Sequence, residues 1–314
     1  MIDLRDAKVL VTGGAGFIGS HTVDALADAG AEVAVVDNLS TGFYRNIAKR
    51  PAAVTFNHCD IGDPQFEEIY DQVRPDYIFH FAHFVLVPKS AENPLLDMPV
   101  LAGTLRLFTK ARQHGVRKIL LASSGFLYGN NPKLPVAETA PFDPIVPYAV
   151  SKQAIEWYVK VFKLPHVVLR YAAVYGPRQQ TGAMADYIKQ LAAGKQAEIW
   201  GDGEKTRDYV YISDVVRANL LALTVPDDHP SPVFNIGTGI ETSLNTLYGK
   251  IAGIVGVEGK PIYHPDRPGE QMRYCLDVTK AWRELAWAPI VSLDEGLIST
   301  VASAVGMGEW KRVP

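Results

Sequence analysis

The sequence predicts an α/β protein, a doubly wound, Rossmann-like parallel sheet with a smaller C-terminal substrate domain. Short runs that are apolar at consecutive positions alternate with longer segments of helical periodicity. A glycine-rich turn, VTGGAGFIGSH at 11–21, joins the first run to the first helical segment. Beyond residue 176 the alternation gives way to Pro- and Gly-rich stretches such as YGPRQQTG, WGDGEKTRD and HPDRPGEQ.

The predicted strands are KVLVTG (8–13), EVAVVD (32–37), VTFNHCD (54–60), DYIFHFA (76–82), KILLAS (118–123) and HVVLRYA (166–172). Val and Ile on both faces mark strands covered by helices on each side, as in a parallel sheet. Helices are expected near 17–29, 64–73, 98–114, 148–163 and 183–193. Pro64 after Asp63 fits a helix start, and Gly115 after His114 fits a stop. Residues 1–176 are read as the cofactor-binding domain, with segments near 209–224 and 233–240 returning to it. Residues 177–314 are read as the substrate domain, mostly loops and short helices.

Length and composition fit a globular chain: 314 residues, 47% hydrophobic and 21% charged. A net charge of −3 argues against nucleic acid or an anionic membrane as the main partner. No apolar run reaches the length of a membrane span, and the N-terminus lacks the pattern of a signal peptide. A soluble, cytoplasmic protein is expected. Cys59 and Cys275 lie far apart and form no metal-binding or disulfide pattern, so no metal is expected.

Gly13, Gly16 and Gly19 lie between a strand and an amphipathic helix. There the backbone can approach a pyrophosphate and the helix N-terminus offers free N–H groups. Asp37 ends the second strand, 18 residues past Gly19. A carboxylate there accepts the adenosine ribose hydroxyls and repels a 2′-phosphate, so NAD is expected rather than NADP. Asn38, Ser40, Thr41 and Gly42 continue the same loop. Asp60 follows the third strand, and contact with adenine and a helix-capping or turn role carry equal weight for it.

Tyr148 and Lys152 are four apart at a helix start and share one face. Ser124 closes a central strand, at the end where doubly wound sheets bind ligands. A phenol with an ordinary pKa of about 10 is a poor base at neutral pH. A nearby ammonium and a positively charged nicotinamide favour the phenolate. Tyr148 can then take a proton from a sugar hydroxyl that Ser124 holds in place.

With these residues the chain resembles the extended short-chain dehydrogenase/reductases, specifically the NAD-dependent nucleotide-sugar epimerase/dehydratase family and its UDP-glucose 4-epimerase-like members. The resemblance runs through TGGAGFIGSH, DNLSTG, HFA, SSGFLYG, PYAVSK, LRYAAVYGPRQ, WGDGEKTRDYVYISDV, FNIGTG and RPGEQ in order. It implies Ser124, Tyr148 and Lys152 as the catalytic set, with Lys152 also on the nicotinamide ribose. It implies Arg207 and Arg267 on the substrate diphosphate, and a homodimer built on helices 98–114 and 148–163. The expected cofactor site further takes in Phe17, Ile18, Ile61, Phe81, Ala82, His83 and Tyr171.

Family members that dehydrate carry an Asp–Glu pair after the serine, and decarboxylases carry a glutamate at the second position. Gly125 and Phe126 stand there and move no proton, which points to a 4-epimerase acting on a UDP-hexose or derivative. Three features depart from the family pattern. Ala173 replaces an asparagine that normally touches substrate. Val100 replaces another, in a segment from Pro94 to Gly103 that is one residue short. His83 stands where small residues are usual. Pro99 places the helix start near Asp97, the expected N-cap. The alternatives are a dehydratase or reductase that uses His83 as acid or base, or a silent NAD-binding regulator.

Overall fold

A computed structural model describes residues 4–49, 52–83, 87–131, 133–267 and 271–306. Residues 268–270 of the RPGEQ motif lie outside that set. In the first half the chain alternates β1 (Lys8–Thr12), α1 (Phe17–Asp28), β2 (Glu32–Asp37), β3 (Val54–His58), α2 (Gln65–Val73), β4 (Tyr77–His80), α3 (Val87–Glu92), α4 (Met98–His114), β5 (Lys118–Ser124), α5 (Pro147–Val161) and β6 (His166–Tyr171). There follow β7 (Ala173–Tyr175), α6 (Ala183–Ala192), β8 (Glu198–Trp200), β9 (Thr206–Tyr211), α7 (Ile212–Leu221), β10 (Val233–Ile236), β11 (Glu241–Ser243), α8 (Leu244–Val255), β12 (Ile262–His264), α9 (Thr279–Leu285) and α10 (Leu293–Gly306).

Seven strands form one parallel sheet in the order β3-β2-β1-β4-β5-β6-β10. The winding reverses between β1 and β4, so a crevice opens at the C-terminal ends of those strands, where doubly wound sheets bind ligands. Consecutive apolar residues in each strand serve two cores. Val9, Val11, Val33, Val35 and Leu120 face α1, α7 and α9, and Leu10, Val36, Ile78, Ile119 and Leu121 face α2, α4 and α5. Each such side chain, buried on folding, stabilises by roughly 1.5–3 kcal/mol before entropy is counted.

Past residue 176 the chain is more regular than expected. Helices α6, α8 and α10 of 10, 12 and 14 residues pack Met184, Ile188, Leu247, Ile251, Leu297 and Val301 into a third core. The first of them matches the helix expected near 183–193; the apolar spacing of α8 and α10 was obscured by the Pro–Gly loops between them. Two small sheets, β7-β9-β11 and β8-β12, lie among these helices in sequence.

Helix α4 starts at Met98, as Pro99 requires, but Asp97 does not cap it. Asp97 has α-helical angles (φ −84°, ψ −17°) because it ends a 3-10 turn over Pro94–Asp97, whereas a capping side chain needs an extended residue. Asn93 caps that turn instead, accepting the N–H of Leu95.

Candidate active site

The turn after β1 is compact because its glycines leave no room for side chains. Gly13 has φ +71°, and a Cβ there would lie 2.6 Å from the Ala82 nitrogen. A Cβ on Gly19 would lie 2.2 Å from the Gly13 carbonyl oxygen. Gly16 caps α1 without any side-chain bond to its first turn, which leaves N–H groups for an anion. Gly42 is pressed against Ala15, and Phe43 and the Asn46 side chain both donate to the Ala15 carbonyl.

Asp37 has a role the sequence reading missed. Its carboxylate accepts the N–H of Ala15 at 2.9 Å and of Leu39 at 2.8 Å, so it holds the glycine turn to the end of β2. Burial raises its pKa, and these backbone donors oppose the rise. Asp60 accepts from Gly62 N at 2.7 Å and from Asn38 Nδ2 at 2.6 Å, bonds that hold the turn after β3. Ser40 N donates to Asn38 Oδ1 in the same loop, where Thr41 is exposed. Ile61 is buried against Gly103. Tyr171 turns its hydroxyl toward α7, donating to Asn219 at 2.7 Å, and its carbonyl accepts from Tyr274.

Ser124, Tyr148 and Lys152 come together. Ser124 ends β5, Tyr148 is the second residue of α5, and Lys152 follows one turn later. Ser124 lies beside the Tyr148 phenol, where its hydroxyl favours the ionised form. Lys152 Nζ donates to the Ala122 carbonyl at 2.6 Å and sits 6.0 Å from the centroid of the Tyr148 ring. Burial pushes the Tyr148 phenol up to about 12, and the Ser124 hydroxyl opposes this. Burial also pulls the Lys152 ammonium down to about 7, against the charges of Glu156 and Asp97. Both shifts are desolvation effects that disfavour the charged form.

A side chain at position 125 would collide with Tyr274, whose hydroxyl oxygen lies 2.0 Å from where its Cβ would stand. Phe126 packs edge-on against Tyr148, with ring centroids 6.3 Å apart, so an aromatic wall lies beside the tyrosine. His83 also meets Tyr148 edge-to-face at 5.0 Å, and its Nε2 lies 3.1 Å from Ser151 Oγ.

Two buried groups near the set were not singled out from sequence. His80, the histidine of HFA, lies between Thr12 and Thr104 at 2.7 and 2.9 Å. Thr104 gives its own proton to the Val100 carbonyl, so His80 donates from Nε2 and accepts at Nδ1. Burial lowers its pKa to about 3, and it stays neutral. Glu156 and Arg170 pair beneath the site at 2.7 Å, both buried, and Ser123 donates to Glu156 at 2.5 Å.

Arg207, on β9, is half-buried and donates to the carbonyls of Thr206 and Gln271. Arg267 is exposed after β12, its guanidinium 4.0 Å over the Trp200 ring. Trp200 also stacks on His264 at 4.7 Å, an aromatic platform that the sequence reading passed over although WGDG marks it.

The sequence profile described as the NAD dependent epimerase/dehydratase family matches residues 9–237. The chain belongs to that family. It is 40% identical over 306 residues to a UDP-glucose 4-epimerase of Mycolicibacterium smegmatis, covering 94% of this chain and 97% of that one. A crystal structure of UDP-glucose 4-epimerase with UDP-glucose from Thermotoga maritima is 42% identical with a TM-score of 0.90, covering 95% of this chain and 99% of that one. The UDP-glucose 4-epimerase of Thermus thermophilus in complex with NAD is 38% identical with a TM-score of 0.87, covering 94% and 98%. The residues present fit the family's cofactor, since the Gly13–Gly19 turn, the uncapped start of α1 and Asp37 form one contiguous cradle. Among the described residues, no helix is long and apolar enough to cross a membrane, and no cluster of His, Cys, Asp or Glu is placed to hold a metal ion.

Proposed function

We propose that the protein is an NAD-dependent nucleotide-sugar 4-epimerase that acts on a UDP-hexose or a close derivative through a transient 4-keto sugar. The observation that carries this is the Ser124–Tyr148–Lys152 constellation, flanked by Gly125 and Phe126 instead of proton-transferring side chains. NAD, when bound, supplies the hydride acceptor and then the hydride donor. Tyr148 takes the proton of the sugar C4 hydroxyl and returns it after the ketose has turned over. Ser124 fixes that hydroxyl, and Lys152 stabilises the phenolate and reaches the nicotinamide ribose. Gly13–Gly19 and α1 hold the pyrophosphate, and Asp37 accepts the adenosine ribose. Arg207 and Arg267 bind the substrate diphosphate, a task suited to guanidinium donors.

The test is product analysis with a panel of nucleotide sugars. Epimerisation gives a product of equal mass and no net change in the NAD spectrum. A product lighter by one water would establish dehydration, consumption of added NADH would establish reduction, and no turnover on any sugar would leave a regulator. The position of His83 speaks against the dehydratase alternative, because its Nε2 is engaged by Ser151.

Asp37→Ala is expected to weaken NAD binding and to narrow the preference over NADP. It also loosens the glycine turn, so both dinucleotides should bind less well. Isothermal titration with each reads this out, and tighter binding of NADP by the unaltered protein would discard the assignment.

Residues 177–314, apart from the segments near 209–224 and 233–240, are proposed as the substrate-binding part. A homodimer through α4 and α5 is supported by exposed apolar side chains, Met98 on α4 and Val150, Trp157 and Val161 on α5, with Trp157 58% exposed. Light scattering tests it, and a monomer mass at assay concentrations would reject it. The free, buried Cys59 and Cys275 agree with a reducing, cytoplasmic location, which fractionation would check.

A further inference from the structure

The shortened segment before α4 and the unusual His83 meet at one place behind Tyr148. Asp97 is 4% exposed. Its Oδ2 accepts the Ser90 hydroxyl at 2.5 Å, and its Oδ1 lies 3.5 Å from Ser151 Oγ. Ser151 stands on α5 between Tyr148 and Lys152 and donates to the Tyr148 carbonyl at 2.9 Å. Its single proton is thereby used, so the contact with His83 Nε2 at 3.1 Å has the histidine as donor. The His83 ring then packs edge-to-face on Tyr148. Ser90 thus donates to Asp97, whose other oxygen lies against Ser151, and His83 donates to Ser151 while its ring ends on the tyrosine.

The Asp97 carboxylate is buried without a cation at ion-pair distance among the described residues; its hydroxyl donor is Ser90, and Ser151 Oγ lies 3.5 Å from its other oxygen. A lone buried carboxylate is costly unless a positive charge compensates it. Ser151, 3.5 Å from its Oδ1, is the chain neighbour of the buried Lys152 on α5, and the Asp97 charge opposes the fall that burial causes in the lysine's pKa. The other charged or titratable groups around Lys152 are Tyr148 and Glu156 on α5, with Glu156 held by Arg170 of β6, and His80 at the end of β4, which is neutral. On α3, next to Ser90, Lys89 and Glu92 are exposed to solvent.

We propose that Asp97, Ser151 and His83 are positioning residues of this site: the buried carboxylate sustains the charge of Lys152, and the Ser151–His83 contact fixes the plane of the Tyr148 ring. This rests on the reading that Tyr148 and Lys152 carry the reaction. The sign of the Asp97 effect follows from its charge. A negative group nearby makes both the ammonium and the neutral phenol harder to deprotonate. Removing it lowers both pKa values. Both limbs of the kcat profile, which report the Tyr148–Lys152 pair, then move to lower pH.

Asp97→Asn keeps the shape and an acceptor for Ser90. Both limbs are expected to move down by about one pH unit. NMR of ¹³C-labelled lysine in the ligand-free protein, with the Lys152 signal assigned by Lys152→Met, should show the same fall without any turnover. Asp97→Ser is the second neutral variant should the first not fold. His83→Ala should lower kcat about tenfold at unchanged KM and unchanged limbs, a cost typical of a slightly misplaced reacting group. His83→Gln, which still donates to Ser151, should recover most of that loss, and Ser151→Ala should behave as His83→Ala does.

An unchanged Lys152 titration in both neutral Asp97 variants would overturn the carboxylate's role. A His83→Gln variant as impaired as His83→Ala would overturn the role of the Ser151 contact. Loss of one limb of the pH profile in His83→Gln, with a fall of about 10²-fold or more, would make His83 an acid or base in its own right. Full turnover by Tyr148→Phe would remove the reading beneath the proposal, while the lysine titration would still report on Asp97.

Discussion

Tyr148→Phe is expected to cost about 10²- to 10⁴-fold in kcat while binding of the dinucleotide stays as it was. The substitution removes one oxygen from a ring already packed by His83 and Phe126. The wall around it therefore keeps its shape. What is lost is the proposed proton acceptor, which lies beside Ser124. The loss is large because the site has no evident substitute. Position 125 has no side chain, position 126 is phenylalanine, and His80 is locked as a neutral donor and acceptor between two threonines. The geometry also dictates a pH dependence. In the ligand-free protein Tyr148 is pushed up to about 12 and Lys152 down to about 7, so as pH rises the ammonium is lost before the phenol ionises. The phenolate–ammonium pair that the chemistry needs is thus a minor form until further positive charge lies beside it. The two groups titrate as a coupled pair, and the kcat profile reports the pair. In Tyr148→Phe the residual activity should no longer rise with pH on the acid side. Turnover equal to that of the unaltered protein would sink the mechanism.

The parts of this site that were legible in sequence are those in which backbone chemistry forces a residue type. Gly13 and Gly19 had to be glycine because a backbone lies where a Cβ would be. Such turns are punctuated in sequence whatever packs around them. Ser124, Tyr148 and Lys152 were readable because a strand end and one helical turn fix their spacing. Contacts between distant segments left no such trace. Tyr274 fills the space beside Gly125 from 149 residues away, and Asp97 reaches Ser151 across 54. The capping role expected of Asp97 failed for a related reason. A local rule assigned its carboxylate to its own helix, whereas tertiary packing drew it to Ser90. Beyond residue 176 only α6 was expected, near 183–193; α8 and α10 were missed because the Pro–Gly loops dominate the composition there, although each buries an apolar face.

Glu156→Gln is expected to be the most destabilising single change at the site, at roughly 3–5 kcal/mol. Glu156 lies one turn beyond Lys152 on α5 and is 2% exposed. Arg170, 3% exposed on β6, donates to it twice, from Nε at 3.0 Å and from Nη2 at 2.7 Å. The neighbouring Ser123 of β5 adds a third donor. The glutamine fits the space but leaves the guanidinium buried without a counter-charge. The Tyr128 hydroxyl and the Glu138 carbonyl, which also accept from Arg170, are neutral and do not replace one. Nor do the Tyr128 and Phe142 rings, whose centroids lie 5.2 and 4.6 Å from it. At about 2–4 °C per kcal/mol for a chain somewhat smaller than this, Tm should fall by on the order of 10 °C. Ser123→Ala removes one hydrogen bond and spares the ion pair, so its cost should stay near 1–3 kcal/mol. The decisive comparison is the double variant Glu156→Leu with Arg170→Met. If the single change is costly because it strands a charge, removing both charges should recover much of the lost stability. If the double variant instead melts below Glu156→Gln, the pair stabilises by its own attraction and geometry. A Glu156→Gln protein that melts with the unaltered one would mean that the guanidinium finds solvent or another anion, contrary to its burial between β5, β6 and α5.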